Sequence, residues 1–162
     1  MKKYRNIIVV LNLLLLLIYF HYSVIKKENL LAKGQLILLE LAPVDPRSLM
    51  QGDYMDLRYK IAEDLTEDSL PKRGYCVVRL DQNMRAEKIR FQPDTAPLKE
   101  GEYLIEYTSV NRWNIRIGAE SYFFQEGDAE KYDKAKYGGV KIDKHGNSLL
   151  IGLYDEHFQK IE

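Results

Sequence analysis

Residues 52–61 read Gly52-Asp53-Tyr54-Met55-Asp56-Leu57-Arg58-Tyr59-Lys60-Ile61. After Gly52-Asp53 the side chains alternate with a period of two. One face carries Met55, Leu57, Tyr59 and Ile61, and the other carries Tyr54, Asp56, Arg58 and Lys60. This alternation is typical of a β-strand with one buried face. It predicts that Leu57 and Tyr59 are core residues, and it places Tyr54 on the charged face.

Strand patterns continue on both sides of this segment. They cover 35–41, 75–80, 87–92, 103–107, 113–117 and 120–125, and they end in a hairpin whose arms are 140–142 and 149–154. Turn residues 81–83 and 143–147 separate paired arms. A single helix is predicted for Asp128–Tyr137, because acidic residues begin it, basic residues end it and Gly138 follows as a cap. The pattern predicts a mainly β domain, an antiparallel β-barrel or sandwich with one short helix.

An apolar segment precedes this domain. No charged side chain occurs from Asn6 to Ile25, a length that can cross a bilayer as a transmembrane helix. Lys2, Lys3 and Arg5 before it favour a cytoplasmic N-terminus. A cleaved signal peptide is the alternative, but no small-residue cleavage site follows the segment. We therefore favour an uncleaved anchor and divide the chain into a basic head (1–5), an anchor (6–25), a linker (26–34) and an outer β domain (35–162).

Charge and cysteine content restrict the function of the outer part. Residues 6–162 contain 21 basic and 24 acidic side chains, a formal net charge of −3. This balance argues against a nucleic-acid partner, which requires a basic surface. Cys76 is the only cysteine, so a disulfide within the chain is excluded. Its place in an alternating strand pattern, with no activating neighbour, favours a buried core residue over a reactive thiol.

The segment Pro46–Tyr59 resembles the signature of the bacterial GDYXXLXY family. A second region of resemblance runs through 118–127, 129–130 and 137–138, and continues at Asp143, Gly146, Leu150 and 152–153. The resemblance implies a protein tethered to the inner (cytoplasmic) membrane of a bacterium by a single pass. It also implies that the protein works beside larger multi-spanning membrane proteins. It supplies no biochemical activity.

An enzyme hypothesis starts from Leu49–Met55, which is similar to the segment after the nucleophile in membrane signal peptidases. Val44 occupies the position that should hold the nucleophilic serine, and Ser48 is displaced from it. A serine nucleophile also needs an activating base, and no buried lysine is evident. Peptidase activity is therefore disfavoured.

Carboxylates and histidines offer two further hypotheses. Glu120 and Glu126 bracket the aromatic residues Tyr122 and Phe124, and a carboxylate pair could perform acid–base chemistry. Solvated acidic loops are the simpler interpretation. His145 and His157 lack the spacing of a metal site, and we expect neither a metal nor another cofactor.

Aromatic and basic residues provide the remaining candidate surface. Tyr54, Arg58, Arg116 and Tyr122 would share a polar face if their strands pair, and Tyr and Arg are common at binding hot spots. Cross-strand cation–π and hydrogen-bond pairing on a solvated sheet is the simpler interpretation. We favour an accessory module that docks on an integral membrane partner. A binding module for a small ligand or cell-envelope polymer, and an enzyme of unknown type, are the alternatives.

Overall fold

The computed structural model describes residues 2–42, 54–63, 70–111, 114–125 and 128–161. Its helices are α1 (Lys2–Lys33) and α2 (Ala129–Tyr132), with a 3₁₀ turn at Lys60–Ala62. Its strands are β1 (Gln35–Glu40), β2 (Tyr54–Asp56), β3 (Arg73–Leu80), β4 (Ala86–Gln92), β5 (Glu102–Asn111), β6 (Asn114–Arg116), β7 (Ser121–Phe123), β8 (Tyr137–Ile142) and β9 (Ser148–Tyr154).

Helix α1 is long and apolar, and its apolar part is not covered by any other part of the described chain. It contains no glycine or proline and is rich in leucine, which favours helix. Its segment Asn6–Lys33 is long and apolar enough to cross a membrane, a property that cleaved signal sequences share. Residues 26–33, which the sequence assigned to a linker, continue the same helix. Gly34 follows its last residue, and a side chain at this position would collide with the carbonyl oxygen of Leu30.

The strands form antiparallel sheets. One sheet has the order β1-β8-β9, a second has the order β4-β3-β5-β6, and β2 pairs with β7 alone. The Leu38 amide donates to the Met84 carbonyl across 2.8 Å and ties the first two sheets together. The antiparallel sheets include a half-barrel. The prediction of a mainly β antiparallel domain behind an apolar helix is confirmed.

The core fills the space between the sheets. Met55, Leu57, Tyr59 and Ile61 are all buried, as their alternation predicts. Cys76 lies on the central strand β3 and is fully buried, and burial raises the pKa of its thiol to about 12. The cysteine is therefore a core residue, as predicted.

Two local predictions are wrong in extent. The helix predicted for Asp128–Tyr137 is a single turn, Ala129–Tyr132, and Tyr137 already begins β8. Strand β8 pairs with β1 on one side and with β9 on the other. Two ladders of backbone hydrogen bonds outweigh the helical preference of the preceding residues. Likewise, strand β2 ends at Asp56, although the predicted alternation of buried and exposed side chains continues to Ile61.

The helix α1 is fixed to the β domain by its last two turns. Leu30 is only 8% exposed. The Lys141 ammonium donates to the Leu31 carbonyl over 2.6 Å, and the Lys26 ammonium donates to Asn147 Oδ1 over 2.9 Å. The side-chain amide of Asn147 donates in turn to the Asp143 carboxylate, which caps the β8–β9 turn. These contacts join the helix to this hairpin, and we refer to them as the junction.

A buried ion pair lies at the start of β5. The Glu102 side chain is 1% exposed, and the Arg90 guanidinium donates to both carboxylate oxygens at 3.0 and 2.9 Å. The Lys99 amide adds a third hydrogen bond over 3.1 Å. The Arg90 hydrogen bonds, followed by that of Lys99, lower the pKa of Glu102 to about 2.

This ion pair predicts acid sensitivity. A carboxyl whose pKa is lower in the folded state stabilises the fold above its unfolded pKa and loses that contribution as the pH falls. We expect the Glu102 contribution to disappear between about pH 4.5 and about pH 2. The measurement is the melting temperature of the full chain in mild detergent as a function of pH. Glu102→Gln should have a flatter profile over this window, and an unchanged slope would contradict the assignment.

Candidate functional site

The end of the signature segment, Leu57–Tyr59, is held in the core by contacts with the turn between β6 and β7. The Leu57 amide donates to the Glu120 carbonyl over 2.6 Å, and the Tyr59 hydroxyl donates to the Ala119 carbonyl over 2.5 Å. Tyr59 is 2% exposed. Burial, and secondarily the nearby charge of Glu120, raises the pKa of the Tyr59 hydroxyl well above its usual value. The hydroxyl therefore stays protonated and serves as a hydrogen-bond donor.

Glu120 holds the same turn from the other side. Its carboxylate oxygen Oε1 accepts hydrogen bonds from the backbone amides of Ile117, at 2.5 Å, and Gly118, at 3.2 Å. Gly118 has a φ of +79°, which favours glycine. The Ser148 hydroxyl donates to the Ile117 carbonyl and links the turn to β9. Glu120 thus stabilises the backbone that receives Tyr59.

A polar cleft of about 420 Å³ opens beside this turn. Arg58 and Arg116 line it together with Glu120, Leu57 and Tyr59, and Asp56, Glu63 and Asn114 complete its polar rim. Both arginine side chains are exposed, and neither forms an ion pair within the described part of the chain. The cleft therefore brings together five of the candidate residues, Leu57, Arg58, Tyr59, Arg116 and Glu120, with two guanidinium groups open to solvent.

Tyr122 lies apart from the cleft, in an aromatic cluster. Its ring meets that of Tyr132 edge-on at 5.1 Å between centroids, and the two hydroxyls are 3.4 Å apart. Phe124 packs on the same Tyr132 ring at 5.5 Å. Burial, then the hydrogen bond with Tyr132, raises the pKa of Tyr122 to about 12. The structure therefore brings Arg58 and Arg116 together and leaves Tyr122 in a separate cluster.

The remaining candidate residues are placed only in part. The backbone of Tyr54 pairs with Phe123 in the β2–β7 ladder. Gly52, Asp53 and Glu126 lie outside the described residues, as do Val44 and Ser48. Within the described ranges, no group of three or more histidine, cysteine or carboxylate side chains is placed to hold a metal ion.

The sequence pattern did not identify the residues that contact Tyr59. Ala119 accepts the Tyr59 hydrogen bond, and Gly138 lies against the Tyr59 ring, where an added Cβ would be 2.8 Å from a ring carbon. The sequence pattern instead predicted Gly138 as a helix cap. Both residues are small, and both lie in the second region of resemblance, in 118–127 and 137–138.

Comparison with known proteins identifies the family. The family model described as GDYXXLXY protein matches residues 16–153. The chain belongs to this family. The match spans the second half of α1 and nearly all of the β domain, so the GDYXXLXY unit includes part of the helix as well as the strands. No curated protein and no solved structure matches the chain.

Proposed function

We propose that this GDYXXLXY protein is a membrane-tethered extracytoplasmic module that docks on an integral membrane partner. The observation that carries the proposal is the junction between α1 and the β domain, where Leu30 is buried and the Lys26 and Lys141 side chains donate hydrogen bonds between the two. The apolar part of α1 has no protein cover in the described chain, which suits a helix surrounded by lipid. Its continuation to Lys33 holds the β domain at a fixed height and orientation beside the membrane.

The way in which the β domain is attached to the helix determines which kinds of partner it can reach. A flexible tether lets a domain search for soluble ligands, whereas a fixed one restricts contacts to partners at a set distance from the bilayer. Preorganisation of this kind lowers the entropy lost on docking. A partner embedded in the same membrane gains most from it. The basic residues Lys2, Lys3 and Arg5 support an orientation with the N-terminus in the cytoplasm.

Loosening the junction tests the proposal. The variant combines Leu30→Ser with a short Gly/Ser insertion after Lys33, which removes the buried contact and lengthens the connection from α1 to β1. In-cell crosslinking of the tagged full chain, followed by mass spectrometry, should recover one recurring multi-spanning protein with the unmodified chain. We expect about tenfold less of this crosslink in the loosened variant.

Leu31→Ser provides the matched control. Leu31 lies on the same helical turn but is half exposed, so its replacement should leave the crosslink unchanged. Equal crosslinking by the loosened variant would show that docking does not use the junction. A sample that contains only self-crosslinks, or none, would reject the partner.

The polar cleft favours a second candidate. Arg58 and Arg116 present donors that suit carboxylate or phosphate groups, and the cleft is large enough for a small ligand or one unit of a cell-envelope polymer. Absence of a protein crosslink would favour this binding function. The acidic neighbours Asp56 and Glu63 reduce the attraction for anions, so we rank it second.

A further inference from the structure

A second and larger groove separates α1 from the β domain at the junction. Its volume is about 1260 Å³. On the helix side it is lined by Tyr22, Ile25, Lys26, Asn29, Leu30 and Lys33. The β domain contributes the loop that carries Leu98 and the β8–β9 turn with Lys144. The groove therefore begins at the end of the apolar segment.

The groove continues an apolar strip on α1. This strip consists of Leu14, Leu17, Ile18, His21, Tyr22 and Ile25, at the spacing of one helical face. Tyr22 and Ile25 belong to both the strip and the groove. Leu98 extends the apolar lining from the β domain and is itself 44% exposed. An apolar track thus leads from the expected bilayer core into the groove.

The free charges of the groove are mainly positive. Lys33 and Lys144 form no ion pair within the described residues, and Lys26 donates to a neutral amide. Arg90 compensates the charge of Glu102, whereas Asp143 accepts hydrogen bonds from neutral amides of its own turn and keeps its negative charge. Three lysines therefore stand against two uncompensated carboxylates, Asp143 and Glu106. The groove is therefore suited to an anion next to an apolar chain.

We propose that this groove binds one anionic phospholipid of the surrounding membrane. The phosphate group meets Lys26, Lys33 and Lys144, and an acyl chain runs along Tyr22, Ile25 and Leu98 onto the strip. Lysines at this level attract anionic headgroups. The inference rests on the proposed membrane insertion of α1. The bound lipid would fill the space beside the junction and support the fixed orientation of the β domain.

Lipid retention provides the test. The full chain is reconstituted in vesicles of phosphatidylglycerol and phosphatidylcholine, extracted in mild detergent, and analysed for bound lipid by native mass spectrometry. We expect about one phosphatidylglycerol per chain, and about tenfold less in Lys26→Ala/Lys144→Ala. Lys72→Ala/Lys134→Ala, which removes two exposed lysines outside the groove, should retain lipid normally. Equal losses in the two double variants would overturn the site.

Two further measurements separate the possible failures. Flotation of the vesicles reports membrane insertion alone, so a floating chain without bound lipid rejects the site but not the anchor. A photoreactive leucine analogue at Leu98 should form an adduct with the mass of a phospholipid. An adduct with a protein instead would assign the groove to a protein partner and overturn the lipid proposal.

Discussion

Tyr59→Ala is expected to lower the free energy of unfolding by about 4 kcal/mol, the usual cost of removing a buried aromatic side chain. The ring fills the space between the motif segment and β8, and the hydroxyl donates to Ala119. Its loss leaves both a cavity and an unpaired carbonyl. Chemical denaturation of the full chain in mild detergent, monitored by circular dichroism, measures the change.

Tyr59→Phe separates the ring from the hydroxyl. It keeps the packing and removes only the hydrogen bond, so we expect a loss of about 1 kcal/mol. Arg58→Ala is a control in the same segment, since its side chain is exposed and its removal should change stability by less than about 0.5 kcal/mol. If Tyr59→Ala behaved like the control, the tyrosine would not be a core residue.

Gly138→Ala is expected to destabilise the fold by about 2 kcal/mol through overpacking. An added Cβ would lie 2.8 Å from one carbon of the Tyr59 ring and 3.0 Å from its hydroxyl oxygen. Strand β8 is held between β1 and β9, so its backbone cannot move away without breaking one of two ladders. The same denaturation measurement applies.

The two substitutions should be coupled. With Tyr59 replaced by Ala, the space around Gly138 is open, and Gly138→Ala should cost less than about 0.5 kcal/mol. A double-mutant cycle would then give an interaction energy of about 1.5 kcal/mol. Strict additivity would show that Gly138 is sensitive for a reason other than the Tyr59 ring.

These contacts give the family signature a structural basis. Leu57 and Tyr59 are core residues, and the backbone of Leu57 and the hydroxyl of Tyr59 both bind the turn that Glu120 stabilises. Arg58, at an unspecified position of the signature, and Arg116, outside both regions of resemblance, are exposed and line the polar cleft instead. Within the signature, Leu57 and Tyr59 thus serve packing.

Local sequence pattern was sufficient for part of this result. Alternation identified Leu57 and Tyr59 as buried, because the strand period directly reflects which face meets the core. The turns at 81–83 and 143–147 were found from short polar segments, since turn chemistry is local. The apolar helix was found from its length and composition.

Helix α2 shows where local pattern fails. Charges suited to a helix dipole and a following glycine predicted a helix to Tyr137, yet residues from Tyr137 onward join two neighbouring strands. The interactions that decide this involve β1, about a hundred residues earlier in the chain. Local propensity contains no information about them.

The amino-acid sequence by itself determined an apolar N-terminal helix and a mainly antiparallel β domain. It also determined the burial of Leu57 and Tyr59 and the family of the chain. Tertiary structure alone decided that Tyr59 meets Ala119, that Arg58 and Arg116 share a cleft, and that Lys26 meets Asn147, 121 residues away. Periodicity indicates whether each side chain is buried or exposed, but it does not identify the residue that the side chain contacts. Those neighbours are set by sheet order and register, which depend on packing of the whole domain.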